Sequence, residues 1–155
     1  MKIFCIFDAR GNFLGEISHF FKKYVFGQSC AMCDISHNLT GVKREWRDMS
    51  KTLKYDIKLL HIDEMDSKLA LFVNNSTPCV VASTKSDFKV LVNQEELSAC
   101  AGNINSFKKL LEQKIVQIEE DLTPKFNKAM KFFGKGKYLR ARDEFNNVIV
   151  VLATS

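Results

Sequence analysis

No stretch of the chain approaches the roughly 20 consecutive apolar residues that a membrane-spanning helix needs. The apolar run at the amino end, Ile3-Phe4-Cys5-Ile6-Phe7, stops at Asp8, too short for a signal-peptide core. It reads instead as a buried strand, and the expectation that follows is a cytoplasmic, reducing location. Neither G-x-x-x-x-G-K-[ST] nor G-x-G-x-x-G occurs, so nucleotide binding lacks its phosphate loop. The string Gly134-Lys135-Gly136-Lys137 reads as a solvated turn. Proline occurs only at positions 78 and 124. The five cysteines (Cys5, Cys30, Cys33, Cys79, Cys100) are an odd number in a chain able to build its own core, which argues against a disulfide framework. Cys5 and Cys79 lie inside apolar runs and read as small buried hydrophobes.

What the chain has is core-forming material. Apolar residues make up 46% of it, with thirteen Phe, which excludes disorder as the main state. The length suits one compact domain with a small appendage. The net charge of +5 invites a nucleic-acid reading, but its location decides otherwise. Residues 1–122 hold 16 basic and 16 acidic side chains, whereas the tail holds seven basic against two acidic ones. All the excess is therefore on the tail, which points to an acidic protein surface ahead of nucleic acid or anionic lipid. Trp46 and the Phe residues fall at core spacing, which disfavours a stacking platform for bases.

Residues 2–8 read as a strand, followed by a turn at 10–12 and a helix carrying Leu14, Ile17, Phe21 and Val25. Residues 28–41 lack clean periodicity. Val42, Trp46, Met49 and Leu53 form the apolar stripe of a helix whose other side is solvated. Ile57, Leu59, Leu60 and Ile62 make a second strand, then 69–73 a loop or short helix. Cys79–Ser83 and Phe88–Val92 read as an antiparallel hairpin across a polar turn. After Gly102 comes a long helix with Ile104, Phe107, Leu110, Leu111, Ile115 and Ile118 on one side, capped by Asn103 or Asn105. A strand joined through a helix to a second strand is usually a right-handed parallel crossover. The fold expected is thus α/β, a mixed sheet flanked by helices over residues 1–120.

The sharpest motif is Cys30-Ala-Met-Cys33. Two thiols at this spacing can close a disulfide by exchange when one has a depressed pKa. Asp34 would act the other way, since a neighbouring carboxylate raises a thiol pKa. Cys30, Cys33 and His37 also have a ligand-like spacing, but structural zinc needs four donors. The fourth would come from His61, His19, Asp34 or Cys100. A third reading leaves both thiols reduced, half-buried and structural. His37 could equally anchor a loop, His61 alternates within a strand as a core histidine, and His19 sits on an amphipathic helix.

The early C-x-x-C, the β-α-α-β-β-β-α order and Thr77-Pro78 immediately before the third strand resemble the thioredoxin fold. In such proteins a cis-proline at that place faces the dithiol. The resemblance implies Cys30 as attacking thiol, Cys33 as resolving thiol and Pro78 as their support. The chain departs from thioredoxins in three ways: twenty-one residues separate Asp8 from Cys30, Ser29 stands before the motif, and Ala-Met lies within it. The strings Cys30-Ala-Met-Cys33-Asp-Ile-Ser-His37, Lys43-Arg-Glu-Trp46 and Leu59-Leu-His-Ile-Asp-Glu64 also resemble a family of small uncharacterised bacterial proteins, over roughly residues 1–120. That resemblance implies a fold and supplies no function.

Residues 121–155 read as a basic helical hairpin, with Pro124 in a first helical turn and Gly134 and Gly136 at the bend. Leu139, Phe145, Val148, Ile149 and Leu152 are expected on the apolar face of the second helix. Ala129, Phe133, Gly136, Tyr138, Ala141 and Phe145 resemble a single tetratricopeptide repeat, and one such unit cannot bury both its faces. It must pack on the first domain, on a copy of itself or on a partner, with Lys128, Lys131, Lys135, Tyr138 and Arg142 the expected contact residues. Two functions compete: a thiol–disulfide exchange protein, and a non-catalytic assembly subunit that uses the same fold as a scaffold.

Overall fold

The computed structural model describes residues 1–8, 30–38, 40–83 and 88–152. The helix expected at 14–25, His19 and the turn at 84–87 lie outside the described residues.

Alternation along two strands organises the core. In β1 (Lys2–Ile6), Ile3 and Cys5, followed by Phe7, enter one buried cluster while Ile6 enters another. In β5 (Cys79–Ser83), Val80 and Ala82 join the first cluster, and Cys79 and Val81 the second. Strands apolar on both sides belong in the middle of a sheet. The order is accordingly β4-β1-β5-β6, with β4 (Asp56–Leu60) and β6 (Phe88–Val92) at the edges. β4 runs parallel to β1 with Ile6 opposite Leu60, and β5 runs antiparallel with Ile6 opposite Cys79. β6 closes the expected hairpin with β5. The protein is α/β, as its residue pattern predicts.

One face of the sheet is covered by α1 (Ala31–Ser36), α2 (Arg44–Thr52) and the first turns of α5 (Ile104–Gly134). Met32, Ile35, Trp46, Met49, Phe107, Leu111, Ile115 and Ile118 are buried there. The other face packs Leu69 and Val73 of α3 (Ser67–Val73). The hydroxyl of Tyr55 donates to Glu119 and Lys54 Nζ reaches the same carboxylate at 3.4 Å, tying the start of β4 to α5. Asn103 is the cap of α5, accepting from the N–H groups of Asn105 and Ser106 at 2.9 and 3.1 Å.

Several local expectations change. Val42 pairs with His37 in a small ladder of β2 (His37–Asn38) and β3 (Gly41–Val42), outside the helix assigned to it. The turn that begins just after it, with Lys43 as cap, confines the helical stripe to Trp46 and Met49. Ile62 starts a 3-10 turn rather than ending β4. A further helix, α4 (Gln94–Ala99), is set by a reciprocal cap in which Asn93 and Glu96 accept each other's backbone N–H groups at 2.9 and 3.0 Å. Such a cap satisfies two otherwise unpaired donors. Pro124 lies in the interior of α5, not in a first turn, because α5 continues unbroken to Gly134. That helix therefore runs through residue 120.

Beyond Gly134 the chain reverses with Gly136 at φ +69, a conformation glycine adopts freely, and α6 (Tyr138–Leu152) folds back along α5. Ala129 and Ala141 are fully buried at the seam, where small side chains let the two backbones approach. Leu139 is largely exposed on the far side of α6, which removes it from the apolar face predicted for that helix.

Candidate functional site at the carboxyl edge of the parallel strands

β1 and β4 are parallel, so their carboxyl ends lie on one edge of the sheet, and the start of antiparallel β5 lies there too. Asp8 follows β1, His61 follows β4, and Thr77-Pro78 precede β5. The Thr77–Pro78 peptide bond is cis. Thr77 Oγ1 donates to Asp8 Oδ1 at 2.8 Å, which joins two of these strand ends.

Cys30 is the cap residue of α1, and its Sγ accepts the backbone N–H of Cys33 at 3.4 Å. The Cys33 thiol also donates to that sulfur, and this is the largest influence drawing the Cys30 pKa down, to about 7. Burial opposes the shift, while the backbone N–H groups of Asp8, Cys33 and Met32 reinforce it. Cys33 moves the other way: holding its proton on Cys30, together with burial and the nearby charges of Cys30 and Asp34, pushes its pKa up. The effect expected of Asp34 thus falls on Cys33. The two thiols are differentiated into a donor and an acceptor, an arrangement that favours one thiolate per pair. The remaining cysteines are different. Cys5 and Cys100 are pushed up by burial, and Cys79 is raised to about 11 for the same reason.

Through the Asp8 N–H on the Cys30 sulfur and the Asp8 carboxylate on Thr77, the dithiol and the Pro78 peptide share one strand end. Two imidazoles stand beside it. His37 packs edge-on against Phe7 with centroids 5.3 Å apart, and His61 lies 4.9 Å from the same ring. Ser36 spends its hydroxyl proton on Met32 O at 2.7 Å, so His37 Nδ1, 2.8 Å from Ser36 Oγ, is the donor in that pair. Burial first, then the charges of His61 and Lys43, lower the His37 pKa. His61 Nδ1 is 2.8 Å from Glu64 Oε2. His37 is thus a loop anchor and His61 a packed histidine with a carboxylate partner. Among the described residues no three His, Cys, Asp or Glu side chains converge as a metal site. The zinc set drawn from Cys30, Cys33, His37, His61, Asp34 and Cys100 does not assemble, and His19 lies outside the described residues.

α1 is braced from behind. Lys43 Nζ donates to Asp34 O at 2.5 Å and to Gly102 O at 3.4 Å. Gly102 has φ +70, and a Cβ on it would lie 3.3 Å from Asp34 O. Gly102→Ala is expected to destabilise the protein by about 1–3 kcal/mol, from the positive φ and the contact together. A lower urea midpoint at unchanged slope would show this. An unchanged midpoint would mean that the 100–103 turn does not support the dithiol helix.

No family model, no curated protein and no solved structure matches this chain.

The expected partner-binding residues divide between two sides of the α5–α6 pair. Lys128 pairs with Glu144 at 2.5 Å on one side of the alanine seam. Phe126 meets Phe145 (5.8 Å) and Phe133 meets Tyr138 (5.5 Å) on the other. By helical phase Lys131 and Lys135 fall with Lys128, about 100–180° round α5 from Phe126, Met130 and Phe133. Arg142 shares the phase of Tyr138, and its guanidinium reaches Asp143 at 3.2 Å. Sequence reasoning missed the roles of Asp8, Lys43 and Gly102, and it named Thr77 only as the residue before Pro78. The only trace of their roles was the acidic end of the first apolar run and a glycine before a helix.

Proposed function

We propose that the chain is a thioredoxin-type dithiol protein that exchanges disulfides, with Cys30 as nucleophile and Cys33 as resolving thiol. The observation that carries this reading is the position of Cys30 as the cap of α1, where its sulfur accepts the backbone N–H of Cys33 at 3.4 Å. The strand order β4-β1-β5-β6 and the placement of Thr77-Pro78 beside Asp8 support the fold part of the reading.

In the exchange, the Cys30 thiolate attacks one sulfur of a substrate disulfide and forms a mixed disulfide. The other substrate sulfur leaves as thiolate and takes a proton from water. Cys33, once deprotonated, attacks Cys30 Sγ and releases the second substrate thiol. The substrate gains two electrons, and the protein is left with a Cys30–Cys33 disulfide that a reducing dithiol must reopen. A cytoplasmic, reducing setting would supply that dithiol. His37 and His61 line the same edge, and Pro78 supports it from the start of β5.

The pH dependence of Cys30 alkylation tests the assignment. A thiolate titrating near 7 reacts at a rate that rises through pH 7 and is level by about 8.5, where an ordinary thiol is only half ionised. The sign for stability follows from the same depression. The thiolate's contribution is fully present above the unfolded pKa of about 8.5 and is lost as pH falls through the folded value. A midpoint at or above about 8.5 would remove the nucleophile from the proposal.

A second reading, an assembly subunit, rests on the charge of the helix pair. Lys131 and Lys135 have no ion-pair partner among the described residues and lie beside Lys128, a surface suited to an acidic protein. Nucleic acid is the weaker partner class for this patch.

A further inference from the structure

The aromatic side of the α5–α6 pair is turned away from the cations, and the sheet leaves it uncovered. Phe126, Met130, Phe133 and Tyr138 expose 41%, 47%, 53% and 65% of their surface. In α5 the three hydrophobes are spaced by four and three residues, so they fall within about 60° of one another. This is the stripe of a two-helix seam, one heptad long.

We propose that this face pairs with a second copy of the chain about a two-fold axis at Met130. Two observations favour that occupant, and the area limits how tightly it binds. The stripe is close to palindromic: an antiparallel copy places Met130 against Met130 and Phe126 against Phe133, the self-complementarity a two-fold interface requires. The charge distribution permits it as well. The seven basic residues give the tail its +5, yet Lys128 and Lys135 fall on the opposite side of α5, and Lys131 lies about 100° or more round it from each of the three hydrophobes. Arg142, which shares the aromatic side, is partnered by Asp143. Two tails can therefore meet without setting Lys128 or Lys135 against its counterpart, whereas an acidic partner would find those counter-charges on the other side. The area makes the association weak. Large side chains bury about 150–250 Å² each, so these four offer about 400 Å² per copy, half of the roughly 800 Å² per partner in a standard interface. Phe145 and the stem of Arg142 extend it. The product is a four-helix bundle held by a modest, concentration-dependent dimer, with both dithiols left outside the contact.

The proposal goes beyond the exchange chemistry and does not depend on it. Analytical ultracentrifugation of the full chain under reducing conditions tests it, starting from a monomer of 17.7 kDa. The expected result is a doubling of mass as concentration rises through the micromolar range. Met130→Glu, which sets two carboxylates against each other on the axis, should weaken association by ~100-fold or more, while Lys135→Glu leaves it unchanged. Met130 is half-exposed, so its replacement does not threaten the fold. A wild-type chain that stays monomeric to millimolar concentration, or a dimer that survives Met130→Glu, would overturn the proposal. A dimer lost on Lys135→Glu would also overturn it, by placing the contact on the basic side.

Discussion

Cys30→Ser is expected to reduce the protein's catalysis of insulin-disulfide reduction by ~100-fold or more, to the uncatalysed rate, because a hydroxyl at this position supplies no thiolate. Cys33→Ser should behave differently. It retains the attacking sulfur and one backbone N–H on it, but nothing resolves the adduct, so a stable mixed disulfide with substrate accumulates. Cys33→Ala removes the donor at that position altogether, the largest influence lowering the Cys30 pKa. The alkylation midpoint of Cys33→Ala should therefore lie above that of the wild type. This contrast between two isosteric changes three residues apart is the signature of a nucleophile and its resolving partner. Equal, small effects from both would instead describe two structural thiols.

The largest expected loss of stability is at Phe107. Its ring is fully buried and lies 5.5 Å from Trp46, where α5, α2 and the sheet meet. Phe107→Ala removes that contact and leaves a cavity that fixed backbones on three sides cannot close. Such changes cost about 3–5 kcal/mol. At roughly 2–4 °C per kcal/mol for a chain of this size, the melting temperature should fall by about 6–20 °C. Calorimetry of the two proteins measures it. A fall of under about 2 °C would mean that α5 is not part of the main core.

Much of this core was legible because its periodicities are long and regular. The i, i+4, i+8, i+11 series Phe107, Leu111, Ile115 and Ile118 is buried as the spacing demands, and alternation in Ile3–Phe7 and Cys79–Ala82 marks strands apolar on both sides. Short elements were harder to see. α1 and α4 are six residues each, less than two turns, so no apolar stripe can develop and a cap decides the start. For α4 the Asn93 and Glu96 pair was the available signal; for α1 the cap is Cys30 itself, a residue type that carries no capping preference. The tail shows a different limit. Its composition marks it as basic and amphipathic, but only the Ala129–Ala141 seam fixes which side the aromatic rings take and separates Tyr138 from Lys131 and Lys135.

The candidate dithiol site was half legible. Spacing picked out Cys30 and Cys33, and the X-Pro step picked out Pro78. The partners that make the two sulfurs unequal come from elsewhere. The Asp8 backbone reaches Cys30 across a twenty-one-residue gap in sequence, and the Gly102–Lys43 brace holds α1 from a turn more than sixty residues away. Contacts between such distant positions arise from strand order, which a single sequence encodes only through the whole fold.

The most direct test of the exchange reading is thiol mapping by mass spectrometry after equilibration with a graded glutathione redox buffer. The predicted result is an intramolecular disulfide confined to the peptide containing Cys30 and Cys33, forming in one two-electron step while Cys5, Cys79 and Cys100 stay reduced. Glutathione attached singly to Cys30 with Cys33 still free, or both thiols reduced across the whole range, would contradict it.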